Sequence, residues 1–202
     1  MSKVFTSIAA SLDGYVAGLN QTLEHPMGDD VFGGPESVLH KWMFEAREEN
    51  AAELAEITDA GAFIMGRNMF GPIRGEWELD WRGWWGEEPP YHAPVYVLTH
   101  HPRESLEMDG GTTFHFVTDG VESAMEQARK VAGERDISVA GGASTVNQFL
   151  AAGLLDELRL HVAPVLLGRG ERLFEGIGRI GLTQVSARQT SMVTHLRYTI
   201  EH

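Results

Sequence analysis

The chain has 202 residues, of which 16 are basic and 29 acidic, giving a formal net charge of −13, and it contains no cysteine. Affinity for a polyanion comes from lysines and arginines neutralising phosphates, so this balance argues against nucleic-acid binding. Without cysteine there is no disulfide, no thiolate metal site and no cysteine nucleophile.

Residues 3–11, "KVFTSIAAS", read as a buried first strand. "LDGYVAGLNQTLEHPMGDDVFGGP" follows as a long glycine-rich loop, with Pro35 placed to open a helix. "ESVLHKWMFEAREENAAELAEITDAG" is helical in pattern, in one piece or two. "AFIMG" reads as a short buried strand, "RNMFGPI" as one helical turn, and "RGEWELDWRGWWGEEPPYH" as a second long loop dense in tryptophan. Loops of this length in a compact domain tend to carry function. "PVYVLT" and "TTFHFV" are strands, and "DGVESAMEQARKVAG" is an amphipathic helix with Asp119 as its expected N-cap. "DISVAGG" is a strand running into glycines, and "ASTVNQFLAAG" a helix ending at Gly153. In "LLDELRLHVAPVLLG" Leu158, Leu160 and Val162 share one face of a strand. "LTQVSARQT" and "VTHLRYTIEH" close the chain as an antiparallel pair. Helices alternating with buried strands, then strands alone, predict an α/β fold with an antiparallel edge, in a single domain over 1–202. No apolar run reaches bilayer length and the N-terminus lacks a signal-peptide pattern, so a cytoplasmic protein without membrane contact is expected.

Gly176, Gly178 and Gly181 spell G-x-G-x-x-G, the spacing of a dinucleotide fingerprint. A working fingerprint follows a strand and opens a helix. Here the glycines precede "LTQVSARQT", which has no helical period, so a turn before a strand is the better reading. "DISVAGGASTVNQFL" has the right order: a strand, Gly141-Gly142, then a helix whose free N–H groups can meet a diphosphate, with Ser144 or Thr145 adding hydroxyls. A tight strand–helix turn without a ligand is the competing reading. "GAFIMGRNMFG" repeats the arrangement with Arg67 at the helix mouth, either a phosphate clamp or a surface arginine. "VYVLTHHPRE" supplies a third strand end, followed by Thr99, His100, His101 and Arg103. Ligands of α/β sheets bind at the carboxyl ends of the strands, which these three stretches share.

Taken in order, "SIAASLDGYVAG", "GAFIMGRNMFG", "VYVLTHH", "VAGGASTVNQFLAAGLLDELRLHVAPVLLGRGERLF" and "VTHLRY" resemble the dihydrofolate reductase superfamily. They are most similar to the branch of the reductase domain of the bifunctional riboflavin-biosynthesis deaminase/reductase. The resemblance implies a dihydrofolate reductase-like three-layer α/β fold around a mixed, mostly parallel sheet with an antiparallel C-terminal edge strand. It also implies an NADPH-dependent reductase acting on a small molecule, and pairing as a homodimer. By the same resemblance Ala10 and Ala17 border the nicotinamide through their backbone. Gly66, Arg67, Asn68 and Met69 hold phosphates, and Leu98, Thr99, His100 and His101 lie near the adenosine 2′-phosphate. Gly141, Gly142, Ala143, Ser144, Thr145 and Val146 form the diphosphate turn. The sequence departs from the pattern at Ala140, where the riboflavin-pathway reductases commonly have glutamate. It also lacks a clear equivalent of the early-helix carboxylate of dihydrofolate reductases, Glu36 being the only nearby acid.

Hydride transfer needs a proton source for the atom that gains charge. Asp13, in the "SLDG" turn, is one candidate, or else a turn-forming residue before Gly14. His40 is the other, or else a partly exposed helix histidine. Trp77, Trp81, Trp84 and Trp85 form either an aromatic wall for a planar substrate or a small core beneath their loop. No histidine spacing matches a metal site, so no metal is expected. Two readings stand: an NADPH-dependent reductase of a pterin- or pyrimidine-like heterocycle or an imine or carbonyl compound, and a nucleotide-binding protein that retains the cofactor groove without turnover.

Overall fold

A computed structural model describes residues 2–28, 38–72, 74–77 and 80–202; Pro35 and Glu36 lie outside them. The chain opens with β1 (Val4–Ser11) and β2 (Tyr15–Ala17), then passes through helices α1 (Lys41–Glu45) and α2 (Ala51–Ile57) to β3 (Ala62–Gly66). The one-turn helix α3 (Arg67–Phe70) and the tryptophan-rich loop lead to β4 (Pro94–Leu98), β5 (Leu106–Glu107) and β6 (Thr113–Val117). After these come α4 (Val121–Ala132), β7 (Ile137–Gly141), α5 (Ala143–Ala151) and β8 (Glu157–Ala163). The short β9 (Glu171–Arg172), then β10 (Leu182–Gln189) and β11 (Thr194–Ile200), complete it.

Nine strands form one sheet in the order β10-β11-β8-β1-β7-β3-β4-β6-β5, and β2 pairs with β9 apart from it. From β8 to β6 every neighbouring pair is parallel. The β8–β11–β10 side is antiparallel, as the alternation in the last two segments predicts. The opposite edge is antiparallel as well, through β5. Two residues are too short a run for period-two alternation to show in a sequence.

Strand alternation sends side chains to both faces of the sheet. One core joins Val4, Ile8 and Ala10 of β1, with Ile64 and Val139, to α4 and α5. In α4 the buried Val121, Ala124, Met125, Ala128 and Ala132 fall at helical spacing, which gives the helix a single apolar stripe. Its N-cap is Gly120 in a left-handed conformation (φ 92°) rather than Asp119. The Asp119 carboxylate instead accepts the Thr118 hydroxyl. The second core lies around Phe5, Phe63, Met65, Val95, Val97, Phe70 and Phe114.

Helix α2 is attached differently, for it has no buried residue. Its acids reach the sheet through Glu53–Arg188, Glu56–Arg197 and Glu56–Arg159 ion pairs. Asn50, the residue before it, is fully buried and ends a polar row: Ser7 Oγ to His161 Nε2 at 2.8 Å, His161 Nδ1 to His195 Nδ1 at 2.7 Å, and His195 Nε2 to Asn50 Oδ1 at 2.7 Å. The Asn50 amide nitrogen donates to Ala46 O, so its oxygen is the acceptor of the His195 contact. That places the proton of His195 on Nε2, the proton of His161 on Nδ1, and makes Ser7 a donor to His161. Trp42 packs on both imidazoles, with ring centroids 4.9 and 5.2 Å away.

Candidate functional site

β7, β3 and β4 are parallel neighbours, with Met65 opposite Gly141 and Gly66 opposite Leu98. Their carboxyl ends therefore emerge side by side, which brings together the three stretches singled out in the sequence. At the end of β7, Gly141 has φ +130°, a conformation that disfavours any side chain. A methyl group on Gly66 would stand 2.4 Å from Thr145 Oγ1, so the end of β3 closes onto the first turn of α5 only because it is glycine. Gly142 faces open space instead. It is the N-cap of α5, no side chain caps that terminus, and Ser144 is exposed beside it. An uncapped helix start after two glycines offers backbone N–H groups to an anion. The side chains of Ala143, Thr145 and Val146 are buried, leaving only their backbone for such contact.

Arg67 begins α3 and reaches toward β4, its Nη1 donating to Thr99 Oγ1 at 3.4 Å. Thr99 Oγ1 also accepts from His101 N at 3.1 Å, and Trp77 Nε1 donates to His101 O at 2.9 Å. The guanidinium of Arg67 lies 3.6 Å from the Trp77 ring centroid. Its Nε and Nη2 are buried and have no hydrogen-bond partner. Burial first, then the charges of Arg103 and Arg74, push the Arg67 pKa below its usual value, with Glu76 opposing them. Asn68 is bound on both sides, donating to Gln21 Oε1 and accepting from Arg74. The sulfur of Met69 borders Gly141, and His100 is exposed.

Ala10 and Ala17 are buried. Ala10 sits near the carboxyl end of β1, opposite Val162 of β8, and Ala17 ends β2. Asp13 follows β1 on the same edge, but its hydrogen bonds run within that corner. Its carboxylate accepts from Ser11 Oγ at 2.6 Å, Leu167 N at 3.1 Å and Gly168 N at 2.7 Å. The Ser11 hydroxyl, chief among these donors, outweighs the cost of desolvation and holds its pKa near 2. His40 is the N-cap residue of α1, near enough to His161 for their charges to interact, and burial pushes its imidazole down to about 4. At neutral pH one is a carboxylate and the other a neutral imidazole, so neither carries a readily donated proton. What these groups offer is a fixed charge and a neutral hydrogen-bonding ring.

The tryptophans extend the second core. Trp77, Trp81 and Trp85 pack against it, and Trp84 meets Trp81 edge-on at 4.7 Å. Trp81 Nε1 donates to Phe70 O at 2.8 Å, which ties the loop to the last residue of α3. Gly176, Gly178 and Gly181 lie in an irregular segment that leads into β10, and no helix follows them. Among the described residues, no three His, Asp or Glu converge as metal ligands, and no helix is long and apolar enough to cross a membrane.

Sequence reasoning did not single out the histidine row or the stack of Trp77 on Arg67. "RLHVA" and "VTHLRY" each show one histidine in an apolar strand, but only the pairing of His161 with His195 across β8 and β11 joins them. Arg67 and the tryptophan loop were both visible as separate features.

A model of the RibD C-terminal domain matches residues 2–196, nearly the whole chain. The chain belongs to this family. The chain is also similar to three individual proteins. The uncharacterized protein YyaP of Bacillus subtilis (strain 168) is 32% identical over 112 residues, 52% of this chain and 58% of that protein. A protein of Shewanella sp. PV-4 with a proposed place in riboflavin biosynthesis shares the fold at TM-score 0.68 and 21% identity, over 99% of both chains. RibD of Acinetobacter baumannii shares it at TM-score 0.62 and 19% identity, over 100% of this chain but 59% of that one. The fold is thus the dihydrofolate reductase-like α/β architecture of the RibD reductase region, with its mixed, mostly parallel sheet.

Proposed function

We propose that the protein is an NADPH-dependent oxidoreductase that reduces a small heterocyclic compound, pterin- or pyrimidine-like, or an imine or carbonyl compound. The observation that carries this reading is Arg67, whose two buried, unpartnered N–H groups stand where three strand ends converge. Buried donors are nearly always satisfied, so a pair left open calls for an acceptor that the chain itself does not provide. A phosphate oxygen suits a guanidinium edge. Membership in the RibD C-terminal family supports a nicotinamide cofactor as the source of that phosphate.

In this reading the uncapped start of α5, with Gly141 and Gly142, holds the diphosphate, and Arg67 with Thr99 holds the 2′-phosphate. NADPH, when bound, supplies the hydride. The chain's own part is orientation and electrostatics. Asp13 pins the turn after β1 to the 167–168 backbone, and thereby sets the wall of the site at the end of β1. Pairing of two copies belongs to the same reading, with β10, whose eight residues are all exposed at a free sheet edge, as the surface to be covered.

The test is a titration with NADPH and NADH, read by nicotinamide fluorescence. Binding should favour NADPH, and Arg67→Ala should weaken NADPH by about ten- to a hundredfold, the range for a hydrogen bond to a charged group, while changing NADH little. Equal loss of both cofactors, or no binding of either by the unaltered protein, would overturn the reading. The alternative, nucleotide binding without turnover, is favoured by the low pKa of both Asp13 and His40. Cofactor oxidation with pterins, pyrimidines and imines separates the two.

A further inference from the structure

We infer that Trp77 is the positioning residue that gives this site its preference for a cofactor bearing a 2′-phosphate, acting through Arg67; the inference rests on the cofactor reading above. An arginine with buried guanidinium nitrogens is ordinarily held by a carboxylate, which occupies the N–H groups that a ligand would need. Trp77 removes that conflict. Its ring face, 3.6 Å below the guanidinium, attracts the cation through the ring quadrupole and accepts none of its in-plane N–H groups. Arg67 is thereby fixed in place with Nε and Nη2 left without a hydrogen-bond partner.

The neighbouring arginine shows the contrast. Arg103 also lies over Trp77, at 4.9 Å, but it is tied to Trp81 O at 2.6 Å and to Asp80 at 3.7 Å. It is a satisfied structural cation, and its charge adds to the positive potential at Arg67. Trp77 itself is held from three directions: its Nε1–H donates to His101 O, and its ring edges meet Phe70 at 5.9 Å and Phe116 at 5.0 Å. The platform is therefore rigid before any ligand arrives, which is the condition for an anion site to discriminate.

The experiment has two readouts. In the ligand-free protein, the Arg67 Nε–H resonance, assigned by its loss in Arg67→Lys, should be displaced upfield by the indole ring current and return toward its ordinary position in Trp77→Leu. In binding, Trp77→Leu should reduce the NADPH-over-NADH preference about tenfold with NADH affinity held within about twofold. Trp77→Phe keeps an aromatic face and the packing on Phe70, so it should retain most of the preference. An undisplaced resonance, an unchanged preference in Trp77→Leu, or a loss in Trp77→Phe as large as in Trp77→Leu would each overturn the inference. An unaltered protein with no preference at all would overturn both this inference and the cofactor reading. A preference that Arg67→Ala abolishes and Trp77→Leu spares would overturn this inference alone.

Discussion

The histidine row beneath α2 and the arginine at the mouth of α3 both place buried polar atoms against a tryptophan, yet they differ in one respect. In the row every donor meets an acceptor, from the Ser7 hydroxyl through His161 and His195 to Asn50 and Ala46 O. At Arg67 two donors meet nothing, and they are two of only four such side-chain atoms among the described residues. A closed network spends its hydrogen bonds inside the fold and contributes stability. An open one leaves a desolvated donor waiting, which costs stability and creates affinity. Burial of polar groups alone thus separates architecture from function poorly, whereas the balance of donors and acceptors separates them well.

Breaking the closed network should have the largest effect. His195→Leu leaves the Asn50 oxygen and the His161 Nδ1–H without partners, each costing about 1–3 kcal/mol, for a total loss of roughly 2–6 kcal/mol in denaturant unfolding. The loss is large because α2 has no buried side chain of its own to hold it. The same variant should flatten the pH dependence. Burial, assisted by the neighbouring His195, lowers the His161 pKa to about 3, and burial lowers His40 to about 4 and His195 below its usual value. Below pH 6.5 the unfolded chain takes up protons on these rings that the folded chain refuses, so stability is full above pH 6.5 and falls as pH drops toward 3. Between pH 7 and 5, above the range of the carboxylates, the unaltered protein should lose Tm and His195→Leu should lose less. Parallel slopes would show that the row does not titrate as its burial requires.

The open network predicts the opposite sign. Arg67→Met removes two unpartnered buried donors, which favours the fold, together with one cation–π stack and one long hydrogen bond to Thr99, which oppose it, and these contributions are of similar size. Thermal unfolding should therefore show Tm unchanged or raised, in a variant that no longer favours NADPH. A loss of stability comparable to that of His195→Leu would mean that Arg67 is structural and that the comparison fails.

How much of this was legible beforehand follows from where each feature's information lies. The strand ends at Gly66, Leu98 and Gly141 are local patterns, an apolar run and then glycine or a polar break, and they could be read in place. So could the helix stop at Gly153, whose left-handed φ of +64° suits glycine. The Arg67–Trp77 stack and the histidine row join residues brought together by loop path and strand register, which no local period encodes. Asp13 and His40 could be found as titratable residues, but the Asp13 pKa depends first on a bond from Ser11 that only the folded turn forms, then on backbone donors 154 and 155 residues distant, and the His40 pKa depends on burial. Asp119 was misplaced as a cap because Gly120 can take a conformation closed to other residues, which moved the helix start by one.

The smallest expected effect falls on the feature that looked most like a cofactor motif. A methyl group on Gly178 would meet nothing within 4 Å, and its φ lies outside the left-handed region. The glycine is therefore required neither by its own backbone nor by a neighbour's approach. Gly178→Ala should change stability by less than about 0.5 kcal/mol and leave both NADPH and NADH affinities as they were. Gly66 behaves differently, because there the same added methyl would strike Thr145 Oγ1 at 2.4 Å, between two elements of the site. If Gly178→Ala weakened cofactor binding, the three-glycine segment would take part in the site after all. The strand ends would then lose their claim to it, since spacing rather than placement would have been the better guide.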